Sequence, residues 1–221
     1  MSISQNLNNI KSSLPEHVTL VAVSKTKPNA DILEAYEAGQ RVFGENYVQE
    51  LVEKHDQLPK DIEWHFIGHL QSRKAKLIAP FVSLIHGVDS LKLLLEINKQ
   101  AQKNNRVIDC LLQVHIADEE TKFGLDESEL EEILHFVQND KNEIKNVRIV
   151  GLMGMATFTE DQNQIKKEFE SLKSLFDKFK TQNPDFKTLS LGMSGDYELA
   201  ISCGSTMVRI GSSIFGNRNY N

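Results

Sequence analysis

The chain is 221 residues long, 40% hydrophobic and 25% charged, an ordinary globular composition with enough length to bury on the order of 70% of its unfolded surface. Its formal net charge is -6, and Lys and Arg are scattered among the acids, which argues against nucleic acid as the main partner. No apolar run approaches the roughly 20 residues that span a membrane. No Pro/Gly/Ser-rich linker divides the chain either, so one domain over 1–221 is expected.

The opening segment, MSISQNLNNIKSSLPEH, lacks the apolar core of a signal peptide. Its Ile3, Leu7, Ile10 and Leu14 predict an amphipathic N-terminal helix within 1–16, packed on the main body of the fold. VTLVAVS (18–24) predicts a buried strand, and PNADILEAYEAG (28–39) a helix with Pro28 near its start and Gly39 past its end. RVFGEN (41–46) and YVQELVEKHDQL (47–58) form a second pair, IEWHFIG (62–68) and QSRKAKLIAP (71–80) a third. VSLIHGVD (82–89) precedes SLKLLLEINKQAQKN (90–104), with Asp89 or Ser90 as N-cap. VIDCLLQVHI (107–116) precedes a helix over 126–139. VRIVGLMGMA (147–156) precedes a long helix, 162–182, with Ile165, Phe169, Leu172, Leu175, Phe176 and Phe179 on one face. TLSLGMS (188–194), GDYELAISCG, TMVRIG (206–211) and SSIFG complete the series. Eight strand–helix pairs of near-continuous apolar strands point to a closed (β/α)8 TIM-type barrel in the α/β class. An open doubly wound sheet shares the alternation, but the count favours the barrel.

Active sites of such barrels lie at the carboxyl ends of the strands, with phosphate often bound after strands seven and eight. SLGMSGD and VRIGSS place Gly and Ser at those two ends, each before a helix, where exposed backbone N–H groups and hydroxyls suit a phosphate. Lys25, at the end of strand one, is either a solvated cap or a Schiff-base amine with a lowered pKa. Lys27 precedes Pro28, which pushes it into the loop, so Lys25 is the lysine expected to do chemistry and Lys27 a rim charge. His65 and His69 are four apart on a strand and its turn, with no third ligand at suitable spacing, so no metal is expected there. His86 and His115 lie near strand ends. Cys110 and Cys203 lack CxxC neighbours and are expected to be reduced, which fits a cytoplasmic protein.

The motifs AVSKTKP, FGENYVQE, WHFIGHLQSRK, SLGMSGDYELAI and GSTMVRIGSSIFG, in that order, resemble those of the pyridoxal phosphate homeostasis proteins. This family is also described as alanine-racemase N-terminal-like or proline-synthetase co-transcribed. The resemblance runs from Val18 to Tyr220. It implies a fold type III barrel that holds pyridoxal 5'-phosphate (PLP), with Lys25, the first lysine of S-K-T-K-P, as the Schiff-base residue. The family's phosphate turns match Gly192, Met193 and Ser194, and Arg209, Ile210, Gly211 and Ser212. Asn46 and His86 are similar to residues near the cofactor ring. By the same resemblance, Arg209 faces the pyridine nitrogen, as an arginine does in the racemases, or assists the phosphate.

Alanine racemases, by resemblance, take a second acid/base from a tyrosine on a separate C-terminal β domain of a partner subunit. This sequence stops one turn after the eighth strand, so that domain is expected to be missing. An arginine at the pyridine nitrogen would also keep the ring unprotonated and weaken it as an electron sink. The expectation is a carrier and buffer of PLP in vitamin B6 and amino-acid homeostasis, without robust turnover. Apo PLP-dependent enzymes would be its recipients, and it would be a monomer or weak dimer. The alternatives are a PLP-dependent amino-acid racemase or decarboxylase, and a cofactor-free Schiff-base aldolase acting on a phosphosugar with the same lysine and turns.

Overall fold

A computed structural model describes residues 2–119, 123–140 and 144–216, so Met1 and the last residues of the resemblance, up to Tyr220, lie outside the described residues. Eight parallel strands close into a barrel in sequence order. They are β1 (Thr19–Val23), β2 (Val42–Glu45), β3 (Glu63–Phe66), β4 (Leu84–Val88), β5 (Ile108–Gln113), β6 (Val147–Met153), β7 (Thr188–Ser190) and β8 (Met207–Ile210). The ring is completed by β1 against β8, in the register Leu20–Val208 and Ala22–Ile210.

Helices cover the outside: α1 (Ile3–Ser13), α2 (Asn29–Glu37), α3 (Val48–Gln57), α4 (Ala75–Ile78), α5 (Leu91–Lys103), α6 (Glu127–Asn139), α7 (Gln162–Lys180), α8 (Tyr197–Ser202) and α9 (Ser212–Phe215). Their starts are chemically marked. Ser2 and Gln5 form a capping box on α1, as do Asp126 and Glu129 on α6, and the side chains of Ser90 and Asp161 cap α5 and α7. The expected N-terminal helix buries Leu7 and Ile10, and Asn6 ties it to α9 through a 3.1 Å bond to the Ile214 carbonyl.

Strand residues alternate between two cores. Ala22, Phe43, Trp64, Phe66 and Ile85 face the helices in the main cluster. Val21, Leu84, Leu111, Met153 and Met207 fill the barrel interior. Both faces are therefore buried, which accounts for the unbroken apolar runs in the sequence. Buried free thiols at Cys110 and Cys203 are part of this packing.

The structure departs from expectation mainly at the strand ends near the mouth. β7 stops at Ser190 rather than Ser194, because Gly192 at φ 91° turns the chain away from the ladder. A Cβ there would lie 2.8 Å from the Tyr197 Cα, so only glycine fits. β6 ends at Met153 rather than Ala156, and β5 at Gln113, after which Val114 bridges to Leu125. The expected 71–80 helix is a 3-10 turn, Ser72–Lys74, running into α4. The shortened ends of β6 and β7 release Met155, Met193 and Ser194 into the loops that shape the site.

Candidate functional site

A cavity of about 380 Å³ opens at the carboxyl ends of the strands. It is lined by Lys25 and Lys27 after β1, Asn46 after β2, Met155 and Phe158 after β6, Met193 and Ser194 after β7, and Arg209, Gly211 and Ser212 on and after β8. Its titratable lining residues among those described are Lys25, Lys27 and Arg209, all cationic. Such a concave, one-signed site concentrates anions.

The two glycine–serine turns meet there. The Ser194 hydroxyl accepts from the Gly211 N–H at 3.2 Å and from the Ser213 N–H at 3.5 Å. Backbone donors from the β8 turn thus converge on an oxygen carried by the β7 turn. Gly192 supplies the turn itself, and its carbonyl accepts from the Arg209 N–H at 3.0 Å.

Arg209 forms the floor. It is 4% exposed, and its guanidinium donates to the Ser190 carbonyl at 3.0 Å, the Ser190 hydroxyl at 2.6 Å and the Gly154 carbonyl at 3.1 Å. Burial lowers its pKa to about 10, partly offset by Asp196, so it remains a cation at neutral pH. Below it runs a buried polar chain. The Ser190 hydroxyl lies 3.3 Å from His86 Nδ1, and His86 Nε2 lies 3.1 Å from His65 Nδ1. Arginine can only donate, so Ser190 accepts from it. The serine oxygen has a second lone pair, so the direction of its bond to His86 Nδ1, and with it the direction between the two rings, follows the imidazole tautomers. One neutral tautomer of each ring completes the chain in either direction. Desolvation holds His65 down at about 3 and, with His65 and Arg209 nearby, holds His86 well below the usual imidazole range.

Of the residues that the resemblance assigned, Lys25, Asn46, Met193, Ser194, Arg209, Gly211 and Ser212 reach the cavity. His86 does not: it is 0% exposed inside the barrel, connected to the cavity through Ser190 and Arg209. Ile210 is 0% exposed and packs on the helix side, since strand parity turns it away from its neighbours Arg209 and Gly211. Gly192 acts through its backbone, one residue outside the lining. Lys27 donates to the Phe215 carbonyl at 2.8 Å and to the Gly216 carbonyl at 3.2 Å, so this rim charge also ties the β1 loop to the end of α9. His65 and His69 part company. His69 pairs with Asp89 at 3.0 Å and stacks on Phe123.

The sequence reading missed Phe158, 94% exposed at the mouth. Its loop is held by Thr157, which donates from its N–H and its hydroxyl to Glu168 at 2.7 and 2.6 Å. Eleven residues separate that pair, and nothing in the local pattern marks it. It also missed Glu45, Glu50 and Lys54 behind the β1 loop, where the Glu50–Lys54 spacing of four on a helix was a readable signal.

Residues 1–219 match the family model described as the N-terminal domain of alanine racemase. A pyridoxal phosphate homeostasis protein of Vibrio alginolyticus is 41% identical over 234 residues, covering 99% of this chain and 99% of that protein. The chain belongs to the pyridoxal phosphate homeostasis protein family. Within this family, the Escherichia coli K12 protein is 43% identical over 213 residues, covering 93% of this chain and 88% of that one. The family fold is also that of PipY from Synechococcus elongatus PCC7942. PipY without PLP matches at a TM-score of 0.91 and 36% identity, covering 97% of this chain and 100% of PipY. PipY with PLP bound matches at 0.87 and 35% identity, with the same coverage of 97% and 100%. An alanine racemase from E. faecalis, at 17% identity and a TM-score of 0.73, shares the fold over 98% of this chain and 58% of its own. Among the described residues, no helix is long and apolar enough to cross a membrane.

Proposed function

We propose that this chain binds PLP at the mouth of the barrel, holds it on Lys25, and carries and buffers it in vitamin B6 and amino-acid homeostasis. The observation that carries the proposal is the convergence of a lysine, two serine-bearing turns and a buried guanidinium on one cavity of about 380 Å³. The residues fit the cofactor's chemistry. The hydroxyls of Ser194 and Ser212 would hold the phosphate dianion, with the Gly211 N–H orienting Ser194 from behind, as donors gathered on small residues can. Asn46 would sit beside the ring. The guanidinium of Arg209 is held on the floor by Ser190 and Gly154, below the serine turns, which favours the ring nitrogen over the phosphate as its partner. When bound, PLP supplies an aldehyde that condenses with a primary amine, releasing one water as the C=N bond forms. Lys25 is the amine proposed for that bond. His86 and Ile210 support the site from behind, His86 by fixing Ser190 and through it Arg209.

A carrier is favoured over a racemase or decarboxylase for two reasons. A cationic Arg209 cannot give the ring nitrogen a proton at neutral pH, which leaves the ring a weak electron sink and counts against the decarboxylase, though not against a racemase, since the racemases by resemblance carry an arginine there too. Racemisation also needs two acid/base groups on opposite faces of the reacting carbon. The titratable groups lining the cavity among the described residues are Lys25, Lys27 and Arg209, and Lys27 is engaged with the Phe215 carbonyl. The whole chain acts as one PLP-binding unit, cytoplasmic, as a monomer or at most a weak dimer. The proposed recipients are apo PLP-dependent enzymes.

The test is to add PLP to the purified protein, reduce with borohydride and map the modified peptide. The expected result is a yellow protein labelled at Lys25, with the visible band lost in Lys25→Ala. A colourless protein that cleaves a phosphosugar would establish the aldolase instead. Robust amino-acid turnover by the yellow protein would overturn the carrier.

A further inference from the structure

On the helix side of the barrel wall, behind the β1 loop, lies a cluster of charges that the reading above leaves without a role. Lys54 on α3 is 5% exposed. Its Nζ donates to the Ser24 carbonyl at 2.8 Å, to Glu45 Oε1 at 2.8 Å and to Glu50 Oε1 at 2.7 Å. Glu45 Oε1 also accepts from the Ser24 hydroxyl at 2.6 Å, and Glu50 Oε1 from the Thr26 N–H at 2.6 Å. Ser24 and Thr26 are the two neighbours of Lys25. Both are thus held from behind, Ser24 at its carbonyl and hydroxyl, Thr26 at its N–H.

Thr26 needs to be held. Its φ is 64°, the left-handed region, which costs a β-branched residue on the order of 1–2 kcal/mol. A free turn would relax out of that conformation and re-aim the preceding side chain. The cluster is also poorly built for stability. Glu45 is 0% exposed, and its Oε2 has no hydrogen-bond partner among the described residues. A buried ion pair of this kind is weak evidence for stability, because desolvation consumes most of the Coulombic gain.

We infer that Glu45, Glu50 and Lys54 are positioning residues that clamp Ser24 and Thr26, so that Lys25 leaves the loop aimed into the cavity. The inference rests on the reading of Lys25 as the amine that bonds PLP. None of the three acidic or basic groups lines the cavity, so each acts through the β1 loop that carries Lys25 and Lys27.

The experiment follows the growth of the visible Schiff-base band after PLP is mixed with the apo-protein, and separately the affinity for pyridoxine 5'-phosphate. That analogue has the ring and phosphate but no aldehyde. Glu50→Ala releases the Thr26 N–H and is expected to slow band formation about ten-fold while leaving analogue affinity within two-fold. Glu50→Gln keeps an acceptor for Thr26 and is expected to restore most of the rate. Ser24→Ala provides a second, smaller perturbation with the same signature. A wild-type rate in both alanine variants overturns the clamp, as does a loss of analogue affinity equal to the loss of rate, which would mark a merely structural role. Failure of the wild type to form a band on Lys25 overturns the reading of Lys25 itself, and the clamp with it.

Discussion

Replacing Glu45 with Gln should make the protein less sensitive to rising pH. Glu45 is fully buried, and desolvation pushes its carboxyl from 4.5 up to about 7, against the opposing pull of Lys54 and the Ser24 hydroxyl. For an acid whose folded pKa is raised, the folded state resists ionisation. The cost is absent below pH 4.5, grows as pH rises toward 7, and is constant above that. At about 1.4 kcal/mol per pH unit, the displacement corresponds to roughly 3 kcal/mol, of which some 2–3 kcal/mol develops between pH 5 and pH 8. Gln matches the volume of Glu and still offers Oε1 to the Ser24 hydroxyl and to Lys54, while Lys54 keeps Glu50 as its carboxylate. Urea melts of both proteins at pH 5 and pH 8 give the answer, since all other titrations cancel in the difference. The variant's stability relative to wild type should rise by about 2–3 kcal/mol between the two pH values, near 1 M in midpoint for a slope of about 2–3 kcal/mol per molar urea. A difference that stays flat would refute the reasoning. A difference that moves the other way would mean that the attraction of Lys54 outweighs desolvation.

Two further outcomes are expected. Gly192→Ala should lower stability by about 1–3 kcal/mol, through a φ of 91° and a Cβ placed 2.7 Å from that of Ala200, and should weaken inorganic phosphate binding; an unchanged melting temperature would show that the turn tolerates a side chain. His65 and His86 should remain neutral from pH 8 down to below pH 5 in NMR titrations, two of the chain's seven histidines. Because their folded pKa values are depressed, the stability they contribute is present above about pH 6.5 and falls by about 1.4 kcal/mol per pH unit for each as pH drops below it, and ordinary titration of all seven would sink the buried-chain reading.

The barrel was legible because its determinants are local. Apolar runs of strand length, alternating with helical spacing and marked by Pro28 at the start of α2 and Gly39 past its end, carry the (β/α)8 count without tertiary information. Lys25 and the two glycine–serine turns were legible for a related reason: the strand ends locate the mouth, and short motifs mark it. What stayed hidden depends on where a side chain points once the barrel has closed. His86 lies near a strand end in the sequence, yet the inward parity it shares with Leu84 places it below the cavity, against Ser190, a residue 104 positions away. Ile210 sits inside the VRIGSS motif expected to bind phosphate, but parity turns it outward. The end of β7 was misjudged because TLSLGMS reads as one apolar run, while the φ of Gly192 ends the ladder at Ser190. The Glu50–Lys54 pair was visible as a helix-face spacing. That it grips the β1 loop follows only from α3 packing behind that loop.

The placement of the buried charges separates what this fold needs from what its site needs. A barrel of this size is stabilised by its two apolar cores, and neither requires Glu45, Lys54 or Arg209. Apolar replacements of similar volume at buried ion pairs are often neutral or stabilising by about 1–4 kcal/mol, so charges such as these are a net burden on the folded state. These three stand in two places. Glu45 and Lys54 are one residue removed from Lys25, and Arg209 lies under the cavity floor with its neutral support of Ser190, His86 and His65. The first group fixes the direction of an amine, the second the position of a cation. If the site forms and releases a covalent bond reversibly, as proposed, it needs both settled before the ligand arrives, because ordering them afterwards would draw on the binding free energy. On this argument a Glu45→Gln protein is the more stable one at pH 8 and yet forms its bond to PLP no faster than wild type. The two measurements, made on the same variant, separate a charge kept for stability from one kept for aim.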